Sequence, residues 1–334
     1  MKTIKTTLTF FSLLLLVLLS AKSHASVLQF KSVAPIVYSN KSGLIIRGDS
    51  INGGSTACIH LMNCSNITIV KCKLQNTADR GVRLDGCSNI TIDSCYFNNV
   101  SDGIYAFQCT GGIKINYNQF TNITGPAPRG HAVQLNTCSG GGNTINYNWC
   151  DITIGSGSNP NPNVGDIINV YKSNGISGNP IRIYGNALRG GSTAPGALGT
   201  AGIVVGDVGG SFQDVEFNTL VNTGYVGIQM QGGTHIYIMN NKIYSDLFPW
   251  SGAGLVSANY SGVPSNNNTI SGNLINWQAG YMNMKRRDTV YKAGSGVNIN
   301  SMPAGWSTNT VSAPIKAANL LPAVMINPAK IAVN

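Results

Sequence analysis

The chain has 334 residues, 22 Lys and Arg against 12 Asp and Glu for a net charge of +10, only 10% charged residues and 40 glycines. So sparse and scattered a basic excess excludes a dedicated nucleic-acid binder, which needs a basic stripe or patch. Abundant glycine and asparagine without a long helical period exclude a helical bundle and point to short strands and tight turns.

The N-terminus carries Lys2 and Lys5, an apolar run from Leu8 to Leu19, and small residues Ser23 and Ala25. That order is the pattern of a secretory signal peptide, expected to occupy 1–25. The run is shorter than the roughly 20 apolar residues a membrane span requires. An exported protein, extracellular or periplasmic, with no membrane span in the mature chain is therefore expected, with 26–43 as an N-terminal cap.

From residue 44 the chain repeats. The hexapeptide CSNITI stands at 64–69 and again at 87–92, and one strand pattern recurs as LIIRGDSI (44–51), ITIVKCKL (67–74), ITIDSCYF (90–97), IKINYNQF (113–120), NTINYNWC (143–150), IRIYGNAL (181–188), DVEFNTL (214–220), IYIMNNKI (236–243) and TISGNLI (269–275). A fixed period of this size marks a solenoid, here of about nine coils. The turn position of these segments reads Asp49, Cys72, Cys95, Asn118, Asn148, Asn186, Asn218, Asn241 and Asn273. Asparagine tolerates the left-handed backbone of a tight bend, and its amide reaches neighbouring backbone or the next amide in a stack. The apolar position two residues on, from Ile51 and Leu74 through Leu188 to Ile275, forms an interior column.

A second strand follows in each coil, as in GVRLDGC (81–87), GIYAFQC (103–109), AVQLNTC (132–138) and IINVYKS (167–173). Period-two alternation turns Val82/Leu84, Ile104/Ala106, Val133/Leu135 and Ile168/Val170 inward and sends Arg83, Asp85, Tyr105, Phe107, Gln134, Asn136, Asn169 and Tyr171 outward. These repeats resemble the right-handed parallel β-helix of the pectate-lyase-like (pectin lyase fold) superfamily, with its internal asparagine ladder, over about 44–276. The expected class is thus all-β, a single-stranded right-handed solenoid, with 277–334 as a C-terminal cap or tail.

Eight cysteines in an exported chain ordinarily prompt a disulfide map. Here Cys64, Cys87, Cys109 and Cys138 occupy one corner of successive coils, with side chains pointing the same way, and packed thiols are expected. No Cys or His spacing marks a metal site.

Coil length is the pointer to function. Turn residues are spaced 23, 23 and 23, then 30, 38, 32, 23 and 32, the extra residues falling mostly before the second strand. Such loops on one edge of a repeat scaffold wall a binding groove. Where they enter the sheet, successive coils place Ala57, Arg80, Asp102, His131, Asp166 and Ala201. Stacked coils separate Asp102 and Asp166 by about 9–10 Å at Cα, which suits a pair of carboxyls in acid/base cleavage of a glycoside, with His131 between them. Asp102, His131 and Asp166 are the catalytic candidates. Arg80, Arg83, Asp85, Tyr105, Arg129, Asn136, Tyr171, Lys172 and Trp250 are candidates for substrate binding, the aromatics by stacking on sugar rings and the arginines by holding anionic groups.

The likeness to β-helix polygalacturonases lies in aspartates and a histidine on neighbouring coils, although their paired-aspartate and Arg-x-Lys motifs are absent. Likeness to pectate and alginate lyases implies Arg or Lys as base, with Arg83, Arg129 and Lys172 available, and often calcium; no cluster of acidic ligands marks a calcium site, and the cofactor stays open. The expectation is a polysaccharide hydrolase or lyase acting in a groove on one outer sheet face, its substrate an acidic or a neutral polysaccharide. The competing class is a non-catalytic glycan-binding surface, matrix or adhesin protein.

Overall fold

The structure is a computed structural model that describes residues 29–126, 130–152, 164–191, 200–259, 261–280 and 303–322, with the backbone of 288–290. From Phe30 onward these belong to one compact unit, and 1–25, the segment expected to be a signal peptide, lies outside the described residues. The strands are parallel throughout, in sheets of 19 and 10 strands. Each strand pairs with its counterpart one turn of the chain away, so Leu74 faces Phe97 and Ile51, and Phe97 faces Phe120. The result is a right-handed parallel β-helix.

Apolar side chains recur at alternate positions, so every turn sends them to the same place. Ile51, Leu74, Phe97, Phe120, Cys150, Leu188, Leu220, Ile243 and Ile275 make one fully buried column. Ile69, Ile92, Ile115, Ile145, Ile183, Val215 and Ile238 make another across the interior. Phe97 and Phe120 stack within the first, ring centroids 4.6 Å apart. β-Branched and aromatic residues suit such pleated, closely spaced surfaces.

The bend between the sheets is held by amides. Asn148 donates from its backbone N–H and from Nδ2 to Asn186 Oδ1 at 2.8 and 3.0 Å, and Nδ2 also reaches the Ile115 carbonyl at 2.9 Å. Asn118, Asn186, Asn218, Asn241 and Asn273 repeat the pattern, and Asn309 ends the described series beyond the last of the sequence repeats. The winding also continues N-terminal to Leu44, where Lys31–Val33 and Ile36–Ser39 pair in parallel with Asp49–Gly54 and Ile59–Met62.

Cysteine fills the same role less strongly. All eight cysteines are free and buried. The thiols of Cys87 and Cys138 donate to the carbonyls of Leu61 and Ala106 one rung below, and Ser173 continues the column by donating to Leu135. Burial pushes the Cys58 thiol up to about 11 and moves Cys95 and Cys150 upward too, so these are packing groups with a weak donor.

Asn186→Ala orphans the backbone N–H and one amide hydrogen of Asn148, whose other hydrogen keeps the Ile115 carbonyl, together with the Ile145 carbonyl that Asn186 itself bonds. At the usual cost of buried unsatisfied groups, urea unfolding is expected to show a loss of about 3 kcal/mol. An unchanged midpoint would contradict the role given to the column.

Candidate functional site

The expected vertical registry is present. Arg80 pairs with Asp102 in adjacent strands, Gly103 bonds to the carbonyl of His131, and the pairing of Val133 with Ile168 carries the register on to Asp166. Two rung steps put Asp102 and Asp166 roughly 9.6 Å apart at Cα. Arg80 Nε and His131 Nδ1 lie 3.6 Å from opposite oxygens of Asp102.

Their exposure departs from the open groove expected for catalytic groups. Asp102, His131 and Asp166 are 3, 5 and 6% exposed. Their oxygens are engaged by the loops. Asp102 Oδ1 accepts from Gly130 N at 2.6 Å and His131 N at 3.0 Å, and Asp166 Oδ1 accepts from Ala201 N at 2.8 Å. Gly130 is required there, with φ of 98° and a Cβ position that would fall 2.7 Å from Val164 Cα. The ionisable column thus holds Gly130, His131 and Ala201, the residues with which the long segments rejoin the sheet.

The two carboxyls are driven in opposite directions. Burial alone would raise Asp102, but the attraction of His131 and the N–H groups of His131 and Gly130 outweigh it and hold the carboxyl below its ordinary value. Burial drives Asp166 from 3.8 to about 6 against the pull of His131, Asn169 and the Ala201 N–H, with Asp207 adding to the rise. Asn169 Nδ2 bridges Asp166 and Asp207 at 2.9 and 3.0 Å. Burial raises Asp207 as well.

Beside this column runs an outward face of half-buried side chains. His60 Nε2 and Arg83 Nε meet Asp85 Oδ2 at 2.6 and 2.9 Å, one rung apart. Tyr105 and Phe107 lie parallel with centroids 6.2 Å apart, and the Arg80 guanidinium covers Tyr105 at 4.5 Å. Gln134 donates to Asn169 at 3.1 Å. Asn136 sits between Phe107 and Tyr171 in the strand register, and Lys172 Nζ lies 5.2 Å from the Tyr171 ring.

Most of the expected residues are thus brought together: Arg80, Arg83, Asp85, Tyr105, Asn136, Tyr171 and Lys172 on the face, and Asp102, His131 and Asp166 along its edge. Arg80 is less available than expected, since Asp79 at 2.7 Å, Asp102 and Tyr105 occupy it. Arg129 lies outside the described residues. Trp250 stacks on Phe248 at 4.8 Å, before a strand three rungs beyond Asp166, and is not part of the group.

The sequence reading overlooked His60, Asn169 and Asp207 as site residues. Asp207 arrives opposite Tyr171 through a register shift after Asn169, and the signal for it was Gly206 within the strand, a common mark of a bulge. Among the described residues no group of three or more His, Cys, Asp or Glu is placed to hold a metal. With Asp102 and Asp166 accepting from backbone N–H groups, these carboxylates do not fit a calcium cage, which needs six or more free oxygen ligands.

Asp166 gives a pH test. The folded protein keeps a proton that the unfolded chain releases between about pH 4 and 6, so its contribution is complete below the ordinary carboxylate range and is lost as pH rises through about 6. The rise from 3.8 to about 6 is worth about 3 kcal/mol. Asp166→Asn keeps a carbonyl for Ala201, and its melting temperature is expected to fall less than wild type between pH 4 and 7; parallel curves would contradict the assignment.

No curated protein matches the chain. Among solved structures, a mannuronic acid specific polysaccharide lyase of family 6 from human gut microbiota is similar over 78% of this chain and 79% of its own, at 11% identity and a TM-score of 0.27. Among the described residues no helix is long and apolar enough to cross a membrane. Residues 25–150 match a family model described as a right-handed β-helix region. Match and strand topology agree on the architecture, a right-handed parallel β-helix.

Proposed function

We propose that this is an exported, carbohydrate-active β-helix protein that binds an acidic polysaccharide along the outer face of Ile59–Met62, Lys73–Asp85, Tyr96–Phe107, Val133–Asn136 and Ile168–Tyr171. The observation that carries it is the row of complementary groups at rung spacing. Arg83, 38% exposed in its side chain, lies beside the parallel rings of Tyr105 and Phe107, with Gln134, Asn136 and Tyr171 on the following rungs. A sugar ring sets its apolar face on an aromatic, its hydroxyls bond to amides, and a uronate carboxylate pairs with a guanidinium. Repetition of strands matches repetition of sugars, so a long polymer gains contacts rung by rung.

Cleavage of that polymer is a second reading, favoured by the contrast between Asp102, held low, and Asp166, raised to about 6. Carboxyls whose environments push them apart are the usual mark of an acid and a base, and their separation suits an inverting hydrolase. In that reading Asp166 is the acid and Asp102 the base. A lyase would instead use Arg83 or Lys172 as the base that takes the proton beside a uronate carboxylate, the electron pair forming the new double bond as the glycosidic oxygen leaves.

Binding to polygalacturonate and alginate, compared with neutral polysaccharides, tests the first reading by calorimetry. Arg83→Ala is expected to weaken polyuronate binding about tenfold, and Tyr105→Ala by a similar factor, the worth of one ion pair or stacking contact. Unchanged affinity in both would remove the face from consideration. Release of reducing ends or of ultraviolet-absorbing unsaturated uronates separates hydrolysis from elimination, and His131→Ala should abolish either without changing the circular dichroism. Binding without either product, in wild type, would favour the adhesin class.

A further inference from the structure

The ten-stranded sheet carries a cavity that the outer face does not use. Its volume is about 380 Å³, and it is lined by Ile176, Pro180, Phe212, Asp214, His235 and Tyr237 among others, with no lysine or arginine. Ile176 and Asn179 bond to each other across a tight turn that forms one wall, and Ile176 is left 48% exposed. Volumes of this order are those of small-molecule sites.

Two features of the lining bear on what it can hold. First, Phe212 and His235 occupy a corner with φ of 52° and 55°. At the same corner stand Asn66, Asn89 and Asn267, also left-handed. Asparagine takes that conformation at little cost; Tyr117, Tyr147 and Phe217 show that rings also occupy left-handed corners of this chain, and what sets Phe212 and His235 apart is their place in the cavity wall. The two rings stack at 4.7 Å and form an aromatic shelf. Second, Asp214 Oδ1 and His235 Nδ1 are buried without a hydrogen-bond partner. Asn267 Nδ2 donates to His235 Nε2 at 3.4 Å, which leaves the ring proton on Nδ1. The site therefore holds a carboxyl oxygen and an imidazole N–H whose hydrogen bonds are unmade, a condition native structures avoid unless a ligand or water completes them.

We propose that this cavity is a second carbohydrate site, distinct from the outer face, that takes a single neutral sugar unit on the Phe212, His235 and Tyr237 rings, with hydroxyls to Asp214 and His235. A hydroxyl donates and accepts, so it answers both orphan groups at once. A uronate is excluded, since Asp214 has Glu216 two residues on along its strand, and the nearby cation Arg182 is 3.7 Å from Glu216. Burial, with repulsion from Glu216, also pushes the Asp214 carboxyl up to about 6. The outer face prefers an anionic polymer and this cavity a neutral sugar, so the two sites take different carbohydrates.

The test uses the full chain, the methyl glycosides of glucose, galactose and mannose, and cellobiose, with calorimetry and saturation-transfer NMR. At least one of these probes is expected to bind, and Phe212→Asn and His235→Asn to weaken it at least tenfold. Both variants should melt at a higher temperature, because asparagine relieves the corner. Asp214→Asn, which keeps the shape, should weaken binding as well. Polygalacturonate binding should be untouched by these changes, and Arg83→Ala should leave neutral-sugar affinity untouched, so failure of either site is seen separately. The inference is overturned if none of the probes binds at millimolar concentration, if the variants bind as well as wild type, or if both Asn variants melt lower, which would mean that the rings are kept for packing.

Discussion

A buried asparagine amide that accepts from the backbone of one rung and donates to the next is the interaction on which the rest of this molecule depends. In a tight bend the backbone N–H and C=O groups are turned away from the strands and from water, and a buried orphan costs more than a made bond returns. Asn148 on Asn186, and Asn186 on Asn218, satisfy them with side chains that fit only when consecutive rungs are in register. Once the register is set at one corner, period-two alternation carries it across the sheets, and a loop of any length can leave and return without disturbing it.

That freedom explains how function is laid on the scaffold. Where the inserted segments rejoin the sheet, Asp102 accepts from the Gly130 N–H and Asp166 from the Ala201 N–H. Burial there sets carboxyl properties, while Arg83, Tyr105 and Asn136 on the adjacent rungs stay partly exposed. The ten-stranded sheet has its own insertion, the turn at Ile176, and its own departure from the asparagine corner at Phe212 and His235. Both faces follow one rule: a repeat supplies position, and local exceptions to the repeat supply chemistry.

The sequence made the repeat legible because spacing alone aligned Asn118 through Asn273, and because Ile51, Leu74 and Leu188 fall two residues after the turn in every coil. It placed Arg80, Asp102, His131 and Asp166 in one column for the same reason. Burial of that column was not legible, since the N–H groups of Gly130, His131 and Ala201 that engage it come from segments whose composition fixes no path. Asp207 escaped because a one-residue bulge shifts the register after Asn169. Phe212 and His235 escaped because a left-handed corner occupied by rings reads, in sequence, like any apolar strand position.

The central claim is that residues far apart in the chain are stacked at a constant rung spacing. Thr68, Thr91, Lys114, Thr144, Arg182, Asp214, Tyr237 and Thr269 are successive partners along one sheet. Seven steps place Thr68 and Thr269 about 34 Å apart at Cα. Pulsed electron–electron resonance between spin labels carried by unnatural amino acids at these two positions measures that distance directly. A single narrow peak consistent with about 34 Å, allowing for the label arms, is the predicted result; a broad distribution, or a peak displaced by several rungs, would contradict the stacking on which both sites rest.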